Sequence, residues 1–181
     1  MVRPIRRIVA GNNDQGIAVA LSDGPSPDVQ LDPARPGFGM TRLWVTDSTP
    51  ARTRGVRETL NLPHTLEPPP GGSIFRYLEV PPEIDGLSSI SQGDVANYFQ
   101  SVGSPSASTY TTGVPHPYMQ KIDALDFCYI LEGDVTLVLD KEEVNLREGD
   151  TVIQKGTNHA WSNRSDKPCI IVMSSHDARP D

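Results

Sequence analysis

Asp126 and His159 are the two residues whose types and positions best suit acid–base chemistry. Alternate side chains of a β-strand point to the same face, so Asp126 shares a face with Cys128, and His159 shares one with Trp161. A carboxylate and an imidazole in a partly dry pocket can divide proton donation and acceptance between them. We therefore predict catalytic roles for Asp126 and His159. Trp161 is predicted in the pocket wall, where it would bind substrate, or in the core.

Both catalytic candidates also have a purely structural interpretation. The His159 ring could do no more than satisfy a turn carbonyl, because a polar turn precedes it. Asp126 could tie down a loop amide, or pair with Lys121 or Arg147. The proposed chemistry therefore requires that both side chains project into one cavity.

Four further residues are candidates for substrate binding. Extending the alternation back from Asp126 adds Gln120 and His116, although two prolines beside His116 interrupt the strand pattern. The alternative for both is a surface loop position. Arg42 and Arg76 lie on predicted strands and could hold a substrate carboxylate, or they could lie on a solvated face.

The candidate residues lie in or beside a run of short predicted strands between Gly113 and Asn163. Val, Ile, Leu and aromatic residues are concentrated at 127–131, 134–139, 144–146, 151–154 and 159–161. Polar and glycine-containing turns separate these segments. Strands this short leave open edges in a flat sheet, and closure into a small barrel or jelly roll removes those edges.

The first 112 residues add strands, long loops and one helix. Strand patterns occur at 5–10, 17–21, 41–46 and 73–80, and the first two predict a hairpin. Loops rich in Pro, Gly and Asp are predicted at 22–39 and 50–72. Within 88–103, one helical apolar stripe is formed by Val95, Tyr98, Phe99 and Val102. This helix either covers a barrel mouth or packs outside the sheet.

The segment from Gly113 to Asn163 resembles the two sequence motifs of the cupin family. Asp126 stands where the first motif usually has a glutamate, and Gly133 follows after six residues, as in that motif. The second motif opens at Gly149, and its ending is matched by Gly156, His159 and Asn163. The resemblance implies an all-β, cupin-like double-stranded β-helix (a jelly-roll barrel) with an N-terminal strand extension and one short helix.

The resemblance also suggests how the chain is organised. A length of 181 residues suits one well-buried domain, so we predict a single cupin domain over residues 1–181. Its N-terminal strands, loops and helix occupy 1–112, and the core motifs occupy 113–173. Cupins commonly pair through strand exchange or sheet packing. A homodimer is therefore expected, with the N-terminal hairpin contributing to it.

The metal site of the cupin motif is degenerate in this sequence. The two histidine positions of the first motif hold Gln120 and Ile122, or in a second alignment Met119 and Lys121. Cupin metals such as Fe, Mn, Ni or Zn usually take three or four ligands, mostly imidazoles plus a carboxylate. We therefore predict no tightly bound metal. The alternative is the set of His116, Asp126 and His159, which resembles the ligands of non-haem iron enzymes.

Composition limits the range of partners. A net charge of -7 and a pI near 5.0 argue against nucleic acid, because phosphate binding needs a basic face. No apolar run approaches the roughly 18 residues that span a bilayer, and no secretory signal pattern is visible. Two cysteines are too few for a disulfide framework. We expect a cytoplasmic protein whose partner is a small molecule, with neither nucleic acid nor membrane as partners.

Three functions remain as alternatives. The first is an enzyme (a dehydratase, decarboxylase or isomerase) that transfers protons on a small organic molecule with Asp126 and His159. The second is a metal-dependent oxygenase using His116, Asp126 and His159. The third is a non-enzymatic module that binds a small ligand, although no helix-turn-helix pattern accompanies the barrel to make it a transcription factor. We favour the first, a lyase or isomerase.

Overall fold

The computed structural model describes residues 2–55, 58–83, 87 and 89–180. These residues contain eleven β-strands, one α-helix and a short 3-10 helix, Pro105–Ala107. The strands are β1 Arg6–Asn12, β2 Ala18–Pro25, β3 Val29–Leu31, β4 Gly39–Thr46, β5 Ser73–Val80, β6 Ala124–Glu132, β7 Val135–Leu139, β8 Glu143–Leu146, β9 Thr151–Lys155, β10 His159–Ser162 and β11 Cys169–Asp177. The α-helix, α1, is Gln92–Ser101.

The strands form two antiparallel sheets and a hairpin. The larger sheet has the order β3-β4-β5-β11-β6-β9, and the smaller has the order β10-β7-β8. In the described part of the chain, β1 and β2 pair only with each other. Apolar side chains from the larger and the smaller sheet join one buried cluster, so these two sheets close around a common core. The predicted all-β, cupin-like jelly-roll fold is confirmed.

Alternation along β6 shows how the sequence specifies the inside of the barrel. Cys128 and Ile130 are buried, whereas Phe127 and Tyr129 are 45% and 43% exposed. Asp126 lies on the buried face, as the strand pattern predicts. Fully burying one large apolar side chain contributes about 1.5–3 kcal/mol. A register slip of one residue would exchange the two faces of the strand and lose this contribution.

Helix α1 packs its apolar stripe against the barrel core. It is capped by Ser91, whose hydroxyl accepts a hydrogen bond from the Asp94 N–H while the Asp94 carboxylate accepts one from the Ser91 N–H. The predicted apolar stripe is buried in the same cluster as the barrel interior. No helix among the described residues is long and apolar enough to cross a membrane.

The sequence pattern missed two strands. β11 is the central strand between β5 and β6, and its apolar run shows little alternation, so it carries no clear period-two signal. β3 lies inside the segment 22–39 that was predicted as a loop, at the edge of the larger sheet. The second predicted loop, 50–72, contains no strand in its described residues, and residues 56–57 lie outside them. Residue 88 of the predicted helical region also lies outside the described residues.

A β-bulge in β4 changes which of its side chains face the core. Pairing between β4 and β5 shifts between Arg42 and Trp44. Strict alternation predicts Arg42 and Trp44 on one face and Val45 on the other. In the structure Arg42 and Val45 are both buried, and Trp44 is only partly buried. The predicted alternation is therefore wrong, because the extra residue of the bulge exchanges the faces of the residues that follow it.

Two motif glycines provide a matched test of the turns. Gly133 and Gly149 both have positive φ (77° and 91°), but a Cβ at Gly133 would lie 2.7 Å from the Pro168 carbonyl oxygen, whereas one at Gly149 would contact nothing within 4 Å. Because alanine is strained in the left-handed backbone conformation, each Gly→Ala substitution should lower the free energy of unfolding by about 1–2 kcal/mol. The free energy of unfolding, measured by urea unfolding, should fall distinctly further in Gly133→Ala. Equal losses would contradict the close approach of the Pro168 backbone.

Candidate functional site

A small cavity lies inside the barrel, beneath α1. Its volume is about 40 Å³. Its wall is mostly apolar and includes Phe38, Leu78, Tyr98, Tyr118, Trp161 and Met173. The polar residues of the wall are Arg35, Arg76 and Gln120. A space of this size holds water, and a larger ligand enters only when a wall side chain moves.

His159, the first residue of β10, is held by both its backbone and its ring. Its backbone exchanges two hydrogen bonds with Gln120, of 2.8 and 3.0 Å. Ring Nδ1 lies 2.9 Å from the Thr157 carbonyl oxygen. A carbonyl only accepts hydrogen bonds, so Nδ1 carries the ring proton and Nε2 presents a lone pair. Nε2 faces the Gln120 side-chain nitrogen at 3.4 Å.

The His159 ring is neutral at pH 7. Burial lowers its pKa, and this effect outweighs the Thr157 carbonyl and the charge of Asp126, which both raise it. Nδ1 therefore has the structural role considered for His159, because it donates a hydrogen bond to the turn carbonyl of Thr157. Nε2 remains a proton acceptor because its single contact, with the Gln120 amide, is long.

Asp126 projects from β6 into the barrel and is 3% exposed. Its neighbours in the sheet register are Ser175 on β11 and Gln154 on β9. Asp126 Oδ1, Ser175 Oγ and Gln154 Nε2 are all buried without a hydrogen-bond partner among the described residues. Because unsatisfied buried polar groups are costly, this cluster is suited to binding water or a polar ligand group.

Asp126 and His159 adjoin the cavity wall, but they are not among the residues that line it. His159 contacts two wall residues, Gln120 at Nε2 and Trp161 through an edge-to-face ring contact with a centroid distance of 5.9 Å. The charge of Asp126 raises the pKa of both Arg76, a wall residue, and His159. The structure thus places Gln120 and Trp161 in the wall, with Asp126 and His159 immediately behind it.

His116 is buried, at 4% exposure, and does not occupy the predicted surface loop position. Its Nδ1 accepts a hydrogen bond from the Tyr118 N–H at 3.1 Å, so its proton resides on Nε2. Nε2 lies 3.1 Å from Glu83 Oε1. Although burial opposes it, hydrogen bonds from His116 and Ser162 lower the pKa of Glu83. Both ring nitrogens are thus engaged by the protein, and His116 is not among the cavity-lining residues.

Arg42 is also occupied by protein partners. Its Nε forms an ion pair with Asp28 at 2.5 Å, and its two terminal nitrogens donate to the carbonyls of Pro63 and Leu62, each at 2.8 Å. The Asp28 carboxylate also binds His64 Nδ1 at 3.0 Å. The substrate-binding role predicted for Arg42 has no support from this placement, because its donors are used and it does not line the cavity.

The donor set does not fit a cupin metal. Among the described residues, no three His, Cys, Asp or Glu side chains are grouped as metal ligands. The alternative set of His116, Asp126 and His159 is therefore not assembled, since the His116 ring is engaged with Tyr118 and Glu83. Only Asp126 and His159 remain as donors at the motif positions, fewer than the three or four ligands that Fe, Mn, Ni or Zn usually take.

Arg35 lines the cavity, and the spacing of residues in the sequence did not predict this position. Its guanidinium carbon lies 3.4 Å from the Tyr118 ring centroid and 3.8 Å from that of Phe38. Its Nε forms a 2.7 Å ion pair with the buried carboxylate of Asp32. The segment holding Arg35 was predicted as a surface loop, because its composition is rich in Pro, Gly and Asp. Tertiary packing alone brings this loop over the barrel.

Comparison with known proteins agrees with this architecture. Residues 113–175 match the sequence model of the cupin domain family. Phomopsin biosynthesis cluster proteins C' and D of Diaporthe leptostromiformis are each 24% identical over 171 residues, which cover 91% of this chain and 73% of theirs. A cupin 2 conserved barrel domain protein from Salinispora arenicola matches with a TM-score of 0.40 and 15% identity, covering 78% of this chain and 76% of that one.

The lowered pKa of His159 predicts how stability depends on pH. Between about pH 7 and pH 5 the unfolded His159 ring takes up a proton near its ordinary pKa of about 6.5, whereas the folded ring resists protonation. The unfolded state then binds more protons, so the free energy of unfolding should fall as the pH drops. Urea unfolding at several pH values should show a smaller decrease for His159→Gln than for wild type. An unchanged slope in the variant would contradict a buried neutral ring.

Proposed function

We propose that this cupin is an enzyme that transfers a proton within a small organic molecule, as a lyase or isomerase, using Asp126 and His159. One observation carries the proposal: a buried, neutral imidazole lies in the electrostatic field of a buried carboxylate, one oxygen of which has no hydrogen-bond partner among the described residues. Groups in this state are poised to exchange protons, whereas purely structural polar groups are normally satisfied.

We assign different roles to the two residues. His159 Nε2 takes a proton from a substrate C–H bond, and the electron pair of that bond stays on the substrate or expels a leaving group. The Asp126 carboxylate stabilises the imidazolium that results, because its charge already raises the His159 pKa. The proton then returns to another substrate atom in an isomerase, or to the leaving group in a lyase.

Two residues beside His159 support this chemistry, because one fixes the ring proton on Nδ1 and the other contacts Nε2 only weakly. The Thr157 carbonyl fixes the proton on Nδ1 and so leaves the lone pair on Nε2. The Gln120 amide lies at the long distance of 3.4 Å from Nε2, a weak contact that a substrate group can replace. The two relatives named for a biosynthesis cluster also fit a role in small-molecule chemistry.

A non-enzymatic ligand-binding role is the alternative. It is favoured by one observation, that Asp126 and His159 stand behind the wall of the small cavity and do not line it. In an enzyme, substrate entry must displace wall side chains such as Gln120 to reach them. In a binding protein, wall side chains would also move to admit the ligand, but the ligand would contact neither group.

Solvent hydrogen exchange provides a test of the enzymatic proposal. Small hydroxy and oxo compounds are incubated with the protein in D₂O, and NMR follows deuterium incorporation or conversion. Wild type should act on at least one compound, and Asp126→Asn and His159→Gln should each lower the rate by roughly 10²–10⁴-fold. Asp47→Asn, which removes an exposed carboxylate paired with Arg52, is the matched control and should retain the rate.

Circular dichroism must show that both variants remain folded. A reaction that persists at the wild-type rate in folded Asp126→Asn and His159→Gln would refute the acid–base assignment. A ligand bound but never altered across the panel would instead support the binding role.

A further inference from the structure

Arg76 is a buried cation that lacks a direct counter-ion. It lies on β5 and is 3% exposed. Its Nη2 donates to the Leu66 carbonyl at 2.6 Å, and its Nη1 reaches only the Met40 sulfur at 3.6 Å. Its Nε has no hydrogen-bond partner, and Arg76 forms no ion pair with any residue that the structure describes.

Two other arginines with largely buried side chains, Arg42 and Arg35, each pair directly with a carboxylate, which Arg76 does not. Arg42, its neighbour across the sheet register, has the Asp28 carboxylate and two carbonyls. Arg35, the second cation of the cavity wall, has the Asp32 carboxylate and aromatic rings. Removing a charge from water costs several kcal/mol unless partners replace the water. The buried charge of Arg76 therefore has no direct partner, and an anion bound beside it would stabilise it.

The position of Arg76 shows where that anion would bind. Arg76 lines the small cavity, and its strand neighbour there is Met173, which is itself paired with Cys128 on β6. Burial lowers the pKa of Arg76, and the charges of Asp126 and, to a smaller extent, Glu67 raise it, although neither carboxylate forms an ion pair with Arg76. The free Nε–H can therefore donate to a group that enters the cavity.

The remainder of the wall narrows the chemical class of the ligand. Beyond Arg35, Arg76 and Gln120, the lining is aromatic or aliphatic. A planar carboxylate matches the geometry of a guanidinium edge. A phosphate, which carries about two charges, would need a second free cation, and the Arg35 guanidinium is already paired with Asp32.

We propose that Arg76 binds the carboxylate of a small monocarboxylic acid whose apolar body packs against the aromatic wall of the cavity. This inference deepens the proposed function and rests on it, because it names the substrate class of the same site. Asp126 acts electrostatically on both Arg76 and His159, so a carboxylate at Arg76 would anchor the substrate next to the proton-transferring pair. Arg76 is a substrate-binding residue in this scheme, and no proton passes through it.

Binding of matched acids and amides tests the proposal without requiring turnover. Propionate, butyrate and benzoate are titrated by calorimetry beside propionamide, butyramide and benzamide, which have nearly the same shape but no charge. Wild type should prefer each acid by at least about tenfold, because a charge-assisted hydrogen bond is the stronger kind. Arg76→Met should lose this preference, and Arg76→Lys should keep part of it, since lysine retains the charge without the planar fork.

Arg52→Met is the matched control, because it removes one exposed positive charge that pairs with Asp47 outside the cavity. It should bind the acids as wild type does. If Arg76→Met does not fold, the acid-to-amide ratio in wild type, together with Arg76→Lys, decides the question. Equal binding of acids and amides by wild type would overturn the proposal, and so would an acid preference that survives in folded Arg76→Met.

The same experiment separates this inference from the proposed function. Acid binding that depends on Arg76, without turnover of any acid, would refute the enzymatic function and leave the binding site standing. Turnover of uncharged compounds alone, without preference for the acids, would refute the carboxylate site and leave proton transfer by Asp126 and His159.

Discussion

Burial of charge inside an apolar β-barrel is the constraint on which this site depends. Each ionised group that leaves water needs a partner, or its burial costs several kcal/mol. Arg35 and Arg42 meet that requirement with Asp32 and Asp28. Arg76 and Asp126 do not make a direct pair, although each acts on the other electrostatically. The barrel thus encloses one cation and one carboxylate oxygen, each with hydrogen-bonding capacity that the protein leaves unused.

Strand register brings these groups together. Side chains of directly paired residues in antiparallel strands lie on the same face, so Cys128, Met173 and Arg76 form one inward row. Gln154, Asp126 and Ser175 form the next row. The smaller sheet contributes His159 and Trp161 from the opposite side. Because these residues sit on strands, their relative positions are held by the backbone ladders.

The outcome for individual residues shows which patterns sequence reasoning can use. The alternation of β6 correctly placed Asp126 inside, because one face of that strand is buried and the other is exposed. The same argument failed in β4, where a bulge reverses the parity and sends Arg42 to protein partners. Arg76 was considered beside Arg42 as a carboxylate ligand, and spacing could not distinguish them. His116 was expected on the surface, but its contacts with Tyr118 and Glu83 bury it.

The sequence by itself determined the barrel class, most of its strands and the inward direction of Asp126, because these follow from local alternation, turn residues and the cupin motif. Only the tertiary structure decided that His159 is a neutral ring with its lone pair on Nε2, that Arg76 lines the cavity without a direct counter-ion, and that Arg35 lines the same cavity. The physical reason is that protonation and charge compensation depend on burial and on partners distant in the chain. Those partners meet only when the two sheets close.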